Sequence, residues 1–179
     1  MGWEFNILNG IQDLFQSDLM DKVMPVITAL GNGGLFWIAI GLIFTMKKQT
    51  RLMGICMLTA MFFEVLSCNV ILKPLIARPR PFTTDPSRIL LIPAPNDYSF
   101  PSGHTAVSFA AASAVFSIGK KKLGLVFGIA AVLIAFSRLY LYVHYPTDVL
   151  AGMVIGILCG LAASKIVSRI PIPGISLGE

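Results

Sequence analysis

The sequence predicts an all-α fold, a polytopic bundle of six transmembrane helices that forms a single domain over residues 1–179. Hydrophobic residues make up 55% of the chain and charged residues only 13%, which is more apolar than the core of a soluble domain requires. Several apolar stretches approach the roughly 20 residues that a helix needs to cross a bilayer. We therefore expect an integral membrane protein whose partner is the lipid bilayer and not nucleic acid.

Five of the six predicted spans are apolar stretches near residues 33–46, 52–72, 104–118, 123–141 and 147–167. The first span is the short segment DKVMPVITALG, and we expect it to be broken by Pro25, because proline removes a backbone donor from a helix. Residues 1–17 alternate apolar and polar side chains at helical spacing, which predicts an amphipathic helix in the membrane interface. Whether this N-terminal region spans the membrane or lies on it is left open.

Three basic clusters predict how the bundle is oriented. They fall on one side of the membrane if every predicted span crosses it, and they comprise Lys47, Lys48 and Arg51, then Lys120, Lys121 and Lys122, then Lys165 and Arg169. The positive-inside tendency makes that side cytoplasmic. The opposite, extracytoplasmic side carries the connection 73–103, the connection 142–146 and both histidines of the chain. The predicted location is a cell membrane, with chemistry on its extracytoplasmic face.

The connection 73–103 begins with the segment KPLIARPRP, residues 73–81. Its prolines could simply end and stiffen a helix. However, cations that remain on the outer side against the positive-inside tendency favour an anionic ligand, and Lys73 and Arg80 are residue types that hold a phosphate. We interpret Arg78 as a contact for a lipid head group.

The same connection ends in PSGH, residues 101–104, immediately before an apolar helix. Ser102 could do no more than cap that helix. Gly103, however, lets backbone amides approach a ligand closely, and the N-terminus of a helix favours an anion. His104 would stand beside this anion site, where it could give a proton to a leaving oxygen.

A third polar segment, SRLYLYVHYPTD, occupies residues 137–148. Its tyrosines and Asp148 could serve only as an interfacial aromatic belt and a helix cap. His144 and Asp148, however, are four residues apart across a helix start, so that the carboxylate can accept the Nδ1 proton and leave Nε2 free as a nucleophile. With Arg138 at the end of the preceding span, three cations and two histidines converge on one face. They predict a phosphoryl-transfer site that needs no metal and no other cofactor.

The three segments resemble, in order and at every position, the tripartite signature of the type 2 phosphatidic acid phosphatase family. The matching residues are Lys73 with Arg80-Pro81, then Pro101-Ser102-Gly103-His104, then Ser137-Arg138 with His144 and Asp148. The resemblance implies that His144 attacks phosphorus to form a phosphohistidine, that Asp148 orients it and that His104 protonates the leaving group. It also implies that the phosphoryl oxygens are held by Lys73, Arg80, Arg138, the Ser102 hydroxyl and the Gly103 amide.

A compact chain with its site on the outer face resembles the bacterial members of this family that recycle undecaprenyl diphosphate. We therefore expect a phosphorylated membrane lipid as substrate, with undecaprenyl diphosphate hydrolysed to undecaprenyl phosphate. A broad activity on phosphatidic acid and phosphatidylglycerol phosphate is the alternative. Vanadate-dependent haloperoxidases share the signature, but the apolar spans argue against that soluble class. A lipid flippase or transporter is a third class, and it more often shows paired repeats, which are not visible here.

Two features within the predicted spans concern packing. Glu64 lies mid-span, where a carboxylate must face the bundle interior, and it could relay protons or be a protonated structural residue. A stripe of small residues recurs every four positions in the last span and comprises Gly152, Gly156, Gly160 and Ser164. We expect this stripe to pack against another helix of the same chain, with a homodimer seam as the alternative.

Overall fold

The computed structural model describes residues 2–171, and the regular elements within that range are all helices. The α-helices are α1 (Gly2–Phe15), α2 (Asp18–Ala29), α3 (Leu35–Met46), α4 (Arg51–Glu64), α5 (Lys73–Ile76), α6 (Pro81–Thr84), α7 (Gly103–Ser117), α8 (Lys121–Tyr140) and α9 (Pro146–Val167). A 3₁₀ turn, Asn32–Gly34, joins α2 to α3, and a π-helical segment, Val65–Leu72, continues α4 into α5. The predicted all-α membrane bundle is confirmed.

Three helical stretches of the described chain are long and apolar enough to cross a membrane. They are α8, α9 and the stretch that begins with α4 and continues through the π-helical segment. Helices α2 and α3, which meet at a 44° bend, together qualify as a fourth. Helix α7 is central to the bundle but has only 15 residues, shorter than a full crossing. The count of six spans stays a prediction.

The break in the first span lies elsewhere than predicted. Helix α2 runs through Pro25 without interruption, and the chain bends instead at Gly33 and Gly34. Both glycines have positive φ, 57° and 67°, a conformation that costs a residue with a side chain more than it costs glycine. Met24 and Thr28, on the face of α2 that is buried in the bundle, help to hold the helix in place despite its proline.

The small-residue stripe of α9 packs against α7 of the same chain. A Cβ atom added at Gly152 would lie 2.6 Å from the Ser102 carbonyl oxygen, so only glycine allows the backbones to approach this closely. The Ser164 hydroxyl donates a hydrogen bond to the Ala114 carbonyl at 3.1 Å. The expectation of packing within the chain is confirmed. A homodimer stays a prediction, and this stripe does not provide its seam.

Helix α1 lies against the chain that joins α8 to α9. Leu8 is fully buried there beside Tyr142 and Tyr145, whereas Leu14 on the same helix is 80% exposed. Helix α1 therefore buries part of its apolar surface in the protein and leaves part of it exposed. Its position in the membrane interface stays a prediction, as does the assignment of 73–103 to the extracytoplasmic side.

Candidate active site

Six of the eight predicted site residues line one cavity of about 440 Å³. They come from the ends of different helices, which brings positions far apart in sequence to a single place. The six are Lys73, Arg80, Gly103, His104, Arg138 and His144. The other two, Ser102 and Asp148, are fully buried behind this lining.

His144 lies between the cavity and Asp148. Its side chain is 1% exposed, and its Nε2 atom lies 3.2 Å from a guanidinium nitrogen of Arg80. Burial, followed by the positive charges of Arg80 and Arg138, holds the pKa of His144 well below its usual value. The ring is therefore neutral near pH 7, and an Nε2 that accepts from Arg80 carries the lone pair that a nucleophile needs.

Asp148 is held by several donors at once. Its Oδ2 atom accepts hydrogen bonds from the Ser99 hydroxyl at 2.5 Å and from the Tyr145 amide at 2.9 Å. The Nδ1 atom of His144 lies 3.5 Å from the same oxygen, which is longer than an ordinary hydrogen bond, and Nδ1 has no hydrogen-bond partner within residues 2–171. The carboxylate is thus placed beside the ring, as predicted, but the expected hydrogen bond is not formed in this state.

Lys73 and Arg80 share the carboxylate of Asp97, a residue that no sequence motif indicated. Asp97 forms ion pairs with Lys73 and with Arg80, the latter at 2.6 Å, and its side chain is about half exposed. Burial would raise the pKa of Asp97, but the hydrogen bond and charge of Lys73, together with those of Arg80, lower it below its usual range. Asp97 therefore presents a fixed negative charge to the two cations predicted to bind phosphate.

His104 stands at the opening of α7, and its position depends on the turn between α2 and α3. Its Nε2 atom donates to the side-chain oxygen of Asn32 at 2.9 Å. A Cβ atom added at Gly31 would lie 2.6 Å from Cδ2 of the ring. The absence of a side chain at Gly31 therefore leaves the space that the imidazole occupies.

Arg138 and Gly103 complete the cavity lining. The guanidinium of Arg138 is 2% exposed and donates to the Thr28 hydroxyl at 2.7 Å, while its Nε has no hydrogen-bond partner in the part of the chain that the structure describes. A Cβ atom added at Gly103 would lie 3.7 Å from Nζ of Lys73, so the start of α7 adjoins that ammonium. The Ser102 hydroxyl accepts a hydrogen bond from Thr105 instead of reaching the lining, and its role as a phosphate ligand stays a prediction.

A larger cavity, of about 740 Å³, adjoins the first and shares Lys73, Asp97, Gly103 and His104 with it. Phe62 and Val65, which line it, are 64% and 45% exposed, so the cavity opens on the side of the bundle. Its apolar lining includes Ile38, Leu58, Met61, Phe62, Val65 and Val107. Glu64 also lies there, 1% exposed, and its Oε1 has no hydrogen-bond partner among the described residues. A role as a proton relay or as a protonated structural residue stays a prediction.

Arg78 has a different environment from the one interpreted from the sequence. Its guanidinium is bound by two carboxylates, those of Glu4 and Asp148, each at 2.6 Å. It also lies over the ring of Tyr145, 3.9 Å from the centroid. Arg78 therefore forms an internal bridge that uses three of its five N–H donors. Its contact with a lipid head group stays a prediction. Glu4 comes from the N-terminal helix, and no local pattern indicated it.

Among the described residues, no group of three or more His, Cys, Asp or Glu side chains is arranged to hold a metal ion. The expectation that the chemistry needs no metal stays a prediction. Its physical support is the donor set itself, because a cavity lined by Lys73, Arg80 and Arg138 attracts an anion and repels a cation.

Residues 49–171 match the PAP2 superfamily. An undecaprenyl-diphosphatase of Sulfolobus acidocaldarius is 33% identical over 136 residues, which are 76% of this chain and 66% of that protein, so the chain spans about two thirds of this relative. The crystal structure of a transmembrane PAP2-type phosphatidylglycerolphosphate phosphatase from Bacillus subtilis is similar with a TM-score of 0.77 at 28% identity, covering 95% of this chain and 87% of that one. Aquifex aeolicus LpxE gives a TM-score of 0.74 at 29% identity, covering 90% and 94%.

The match to the family covers more than half of the chain and contains all three parts of the signature, from Lys73 to Asp148. The two solved structures share the fold over nearly the whole chain. The chain therefore belongs to the PAP2 superfamily, as its signature predicted.

Proposed function

We propose that the chain is a membrane lipid phosphatase that acts through a phosphohistidine at His144 on the extracytoplasmic face. The observation that carries the proposal is the single cavity in which both histidines meet Lys73, Arg80 and Arg138. Three cations in a confined space stabilise the charge that spreads over the equatorial oxygens of a transferring phosphoryl group.

The reaction has two steps. In the first, the lone pair of Nε2 on His144 attacks phosphorus and the bond from phosphorus to the leaving oxygen breaks. His104, which must enter this step as the protonated imidazolium, gives that oxygen a proton and becomes neutral. In the second, water attacks phosphorus, the neutral His104 takes a proton from that water, the bond from phosphorus to Nε2 of His144 breaks, and inorganic phosphate leaves. Asp148 stabilises the positive charge that the His144 ring carries between the two steps.

The adjoining 740 Å³ cavity supports a lipid as substrate. It meets the phosphate site at Lys73 and His104 and extends between apolar side chains to an opening on the side of the bundle. A lipid bound there would keep its hydrocarbon part in apolar surroundings while its phosphate reached the two histidines. A soluble phosphate ester would gain nothing from this cavity.

Undecaprenyl diphosphate is the substrate that we propose first, and the 33% identity to an undecaprenyl-diphosphatase supports it. Its hydrolysis would release phosphate and leave undecaprenyl phosphate. Phosphatidylglycerol phosphate, or a broad activity that includes phosphatidic acid, is the second candidate, supported by the similarity to the Bacillus subtilis structure.

Phosphate release by the purified protein tests the activity and ranks these lipids. We expect turnover of at least one of the three, inhibition by vanadate as a phosphate mimic and no effect of a chelator. His144→Ala should release no phosphate, while a flippase would continue to move lipid. Turnover that survives His144→Ala, or that requires added metal, would contradict the proposal.

Single cysteines test the proposed face, because all three native cysteines are buried. Ser87 lies in the connection after α6 and Lys48 in the connection before α4, and both are exposed. In intact cells, a membrane-impermeant maleimide should label Ser87→Cys and should reach Lys48→Cys only after permeabilisation. The reverse pattern would place the site on the cytoplasmic face.

A further inference from the structure

Helix α1 lies outside the residues that match the family, yet it packs on the segment that carries His144. The ring of Phe5 meets that of Tyr145 edge to face at 5.6 Å between centroids. On the same side of the helix, Glu4 is only 4% exposed. A carboxylate buried at the start of a helix requires hydrogen-bond or charged partners that compensate for the free energy of its lost hydration.

The partners of Glu4 belong to the active-site region. Its Oε2 atom accepts a hydrogen bond from Arg78 at 2.6 Å, and its Oε1 atom accepts one from the Thr147 hydroxyl, also at 2.6 Å. Thr147 is the residue immediately before Asp148 in α9. The first helix is therefore tied to the start of the last one by the hydrogen bond from Thr147 to Glu4.

Arg78 connects Glu4 to Asp148. The Nη2 atom of its guanidinium donates to Glu4. The Nη1 atom donates to Oδ1 of Asp148 at 2.6 Å and to the Thr147 hydroxyl at 2.7 Å. The planar group lies over Tyr145, which restricts its rotation. A lysine has one ammonium group and could not hold both carboxylates in this geometry.

The two oxygens of Asp148 have separate tasks. Oδ2 lies beside Nδ1 of His144, whereas Oδ1 accepts from Arg78. The bond to Oδ1 therefore fixes the rotation of the carboxylate and hence the position of the oxygen that faces the ring. If Arg78 were paired with Asp148 alone, its positive charge would offset most of the negative charge with which Asp148 stabilises the imidazolium of His144. Glu4 shares the guanidinium and preserves that charge.

We propose that Glu4 and Arg78 are positioning residues for the nucleophile. Through them the N-terminal helix completes the active site, because it fixes the orientation of the Asp148 carboxylate and preserves its negative charge. The inference rests on the proposed function of His144. The competing explanation is that the bridge merely anchors α1. An anchor would change the thermal stability of the protein without a selective effect on the chemical step.

The test compares variants of the purified full chain at a temperature at which all of them are folded. Glu4→Gln keeps the shape of the side chain and removes its charge, and Asp13→Asn is its matched control, because Asp13 is an exposed acid on the same helix. Arg78→Gln and Arg78→Lys separate loss of the cation from loss of its planar geometry. The measurements are kcat, KM and the single-turnover rate of phosphohistidine formation, with whichever of the three lipids the wild type hydrolyses.

We expect kcat and the rate of phosphohistidine formation to fall about tenfold in Glu4→Gln and about 100-fold in Arg78→Gln, with KM within about twofold of the wild type, because the phosphate-binding cations are untouched. Arg78→Lys should recover part of the loss, and Asp13→Asn should match the wild type. A lower Tm with wild-type kcat in Glu4→Gln would overturn the inference. His144→Ala separates the two proposals, since wild-type turnover in that variant would overturn the proposed function itself.

Discussion

The Nδ1 atom of His144 lies 3.5 Å from Oδ2 of Asp148, beside that oxygen but without a hydrogen bond to it. Ser99 and the Tyr145 amide already donate to the same oxygen. When Nε2 attacks phosphorus, the ring becomes positive and its Nδ1 proton is drawn towards the carboxylate. Catalytic hydrogen bonds that are long in the free enzyme commonly shorten in this way. Asp148 should therefore act mainly in the transition state.

Asp148→Asn is expected to lower kcat by about 10²- to 10⁴-fold while KM changes only a few-fold. The substrate phosphate meets Lys73, Arg80 and Arg138, which this substitution leaves in place. Steady-state phosphate release measures both constants. A loss of kcat with an equal rise of KM would indicate that Asp148 contributes to binding and not to the chemical step.

The depressed pKa of His144 predicts how stability depends on pH. Between the folded-state pKa and the ordinary value near 6.5, the unfolded chain binds a proton at His144 that the folded chain does not. Stability should therefore fall as the pH is lowered below about 6.5, by up to about 1.4 kcal/mol per pH unit. Asp97 adds a loss of the same sign, but only near and below pH 4, where an ordinary carboxylate is protonated.

Thermal unfolding in detergent from pH 8 to pH 4.5 measures the contribution of His144. His144→Gln should have a flatter Tm profile between pH 6.5 and pH 5 than the wild type, because its side chain does not titrate. Identical slopes for the two proteins would show that other groups determine the acid sensitivity.

The Asp97 carboxylate is paired with two of the cations that would bind phosphate, so removal of its negative charge should strengthen anion binding. Inorganic phosphate or vanadate must displace this carboxylate from Lys73 and Arg80. Asp97→Asn is therefore expected to lower the inhibition constants of both anions about three- to tenfold. Asp85→Asn is the control, since Asp85 hydrogen-bonds to Ser87 and Tyr142 instead. Weaker inhibition in Asp97→Asn would instead indicate that Asp97 is needed to position Arg80.

The residues around the site could be predicted from the sequence only where they lie at one helix end, a fixed number of residues apart. His144 and Asp148 lie at such an end, and the signature there identified the pair and its neighbours. Thr28 and Asn32, which hold Arg138 and His104, are 110 and 72 residues away from their partners along the chain. Contacts of this kind arise from packing between helices, so no local sequence pattern predicts them.

The bend between α2 and α3 shows a second limit of sequence patterns. Proline indicated a break at Pro25 because it lacks a backbone donor, but packing within the bundle keeps α2 continuous there. The glycines at 33 and 34 adopt positive φ, and their conformational freedom was the better signal. The position of this bend matters for the site, because Asn32 lies in the turn.

Gly31→Ala tests whether that turn sets the position of His104. The added methyl group would come within 2.6 Å of the ring, so the imidazole must move away from its contact with Asn32. Since His104 is the proposed proton donor, kcat should fall about tenfold or more, even though the backbone at Gly31 is compatible with alanine.

Gly128→Ala is the matched control, because a Cβ there meets no atom within 4 Å. It should retain wild-type turnover and gain helix stability of about 0.5–1 kcal/mol. Equal activity of the two alanine variants would show that His104 tolerates displacement and that its present contact with Asn32 is not the catalytic one.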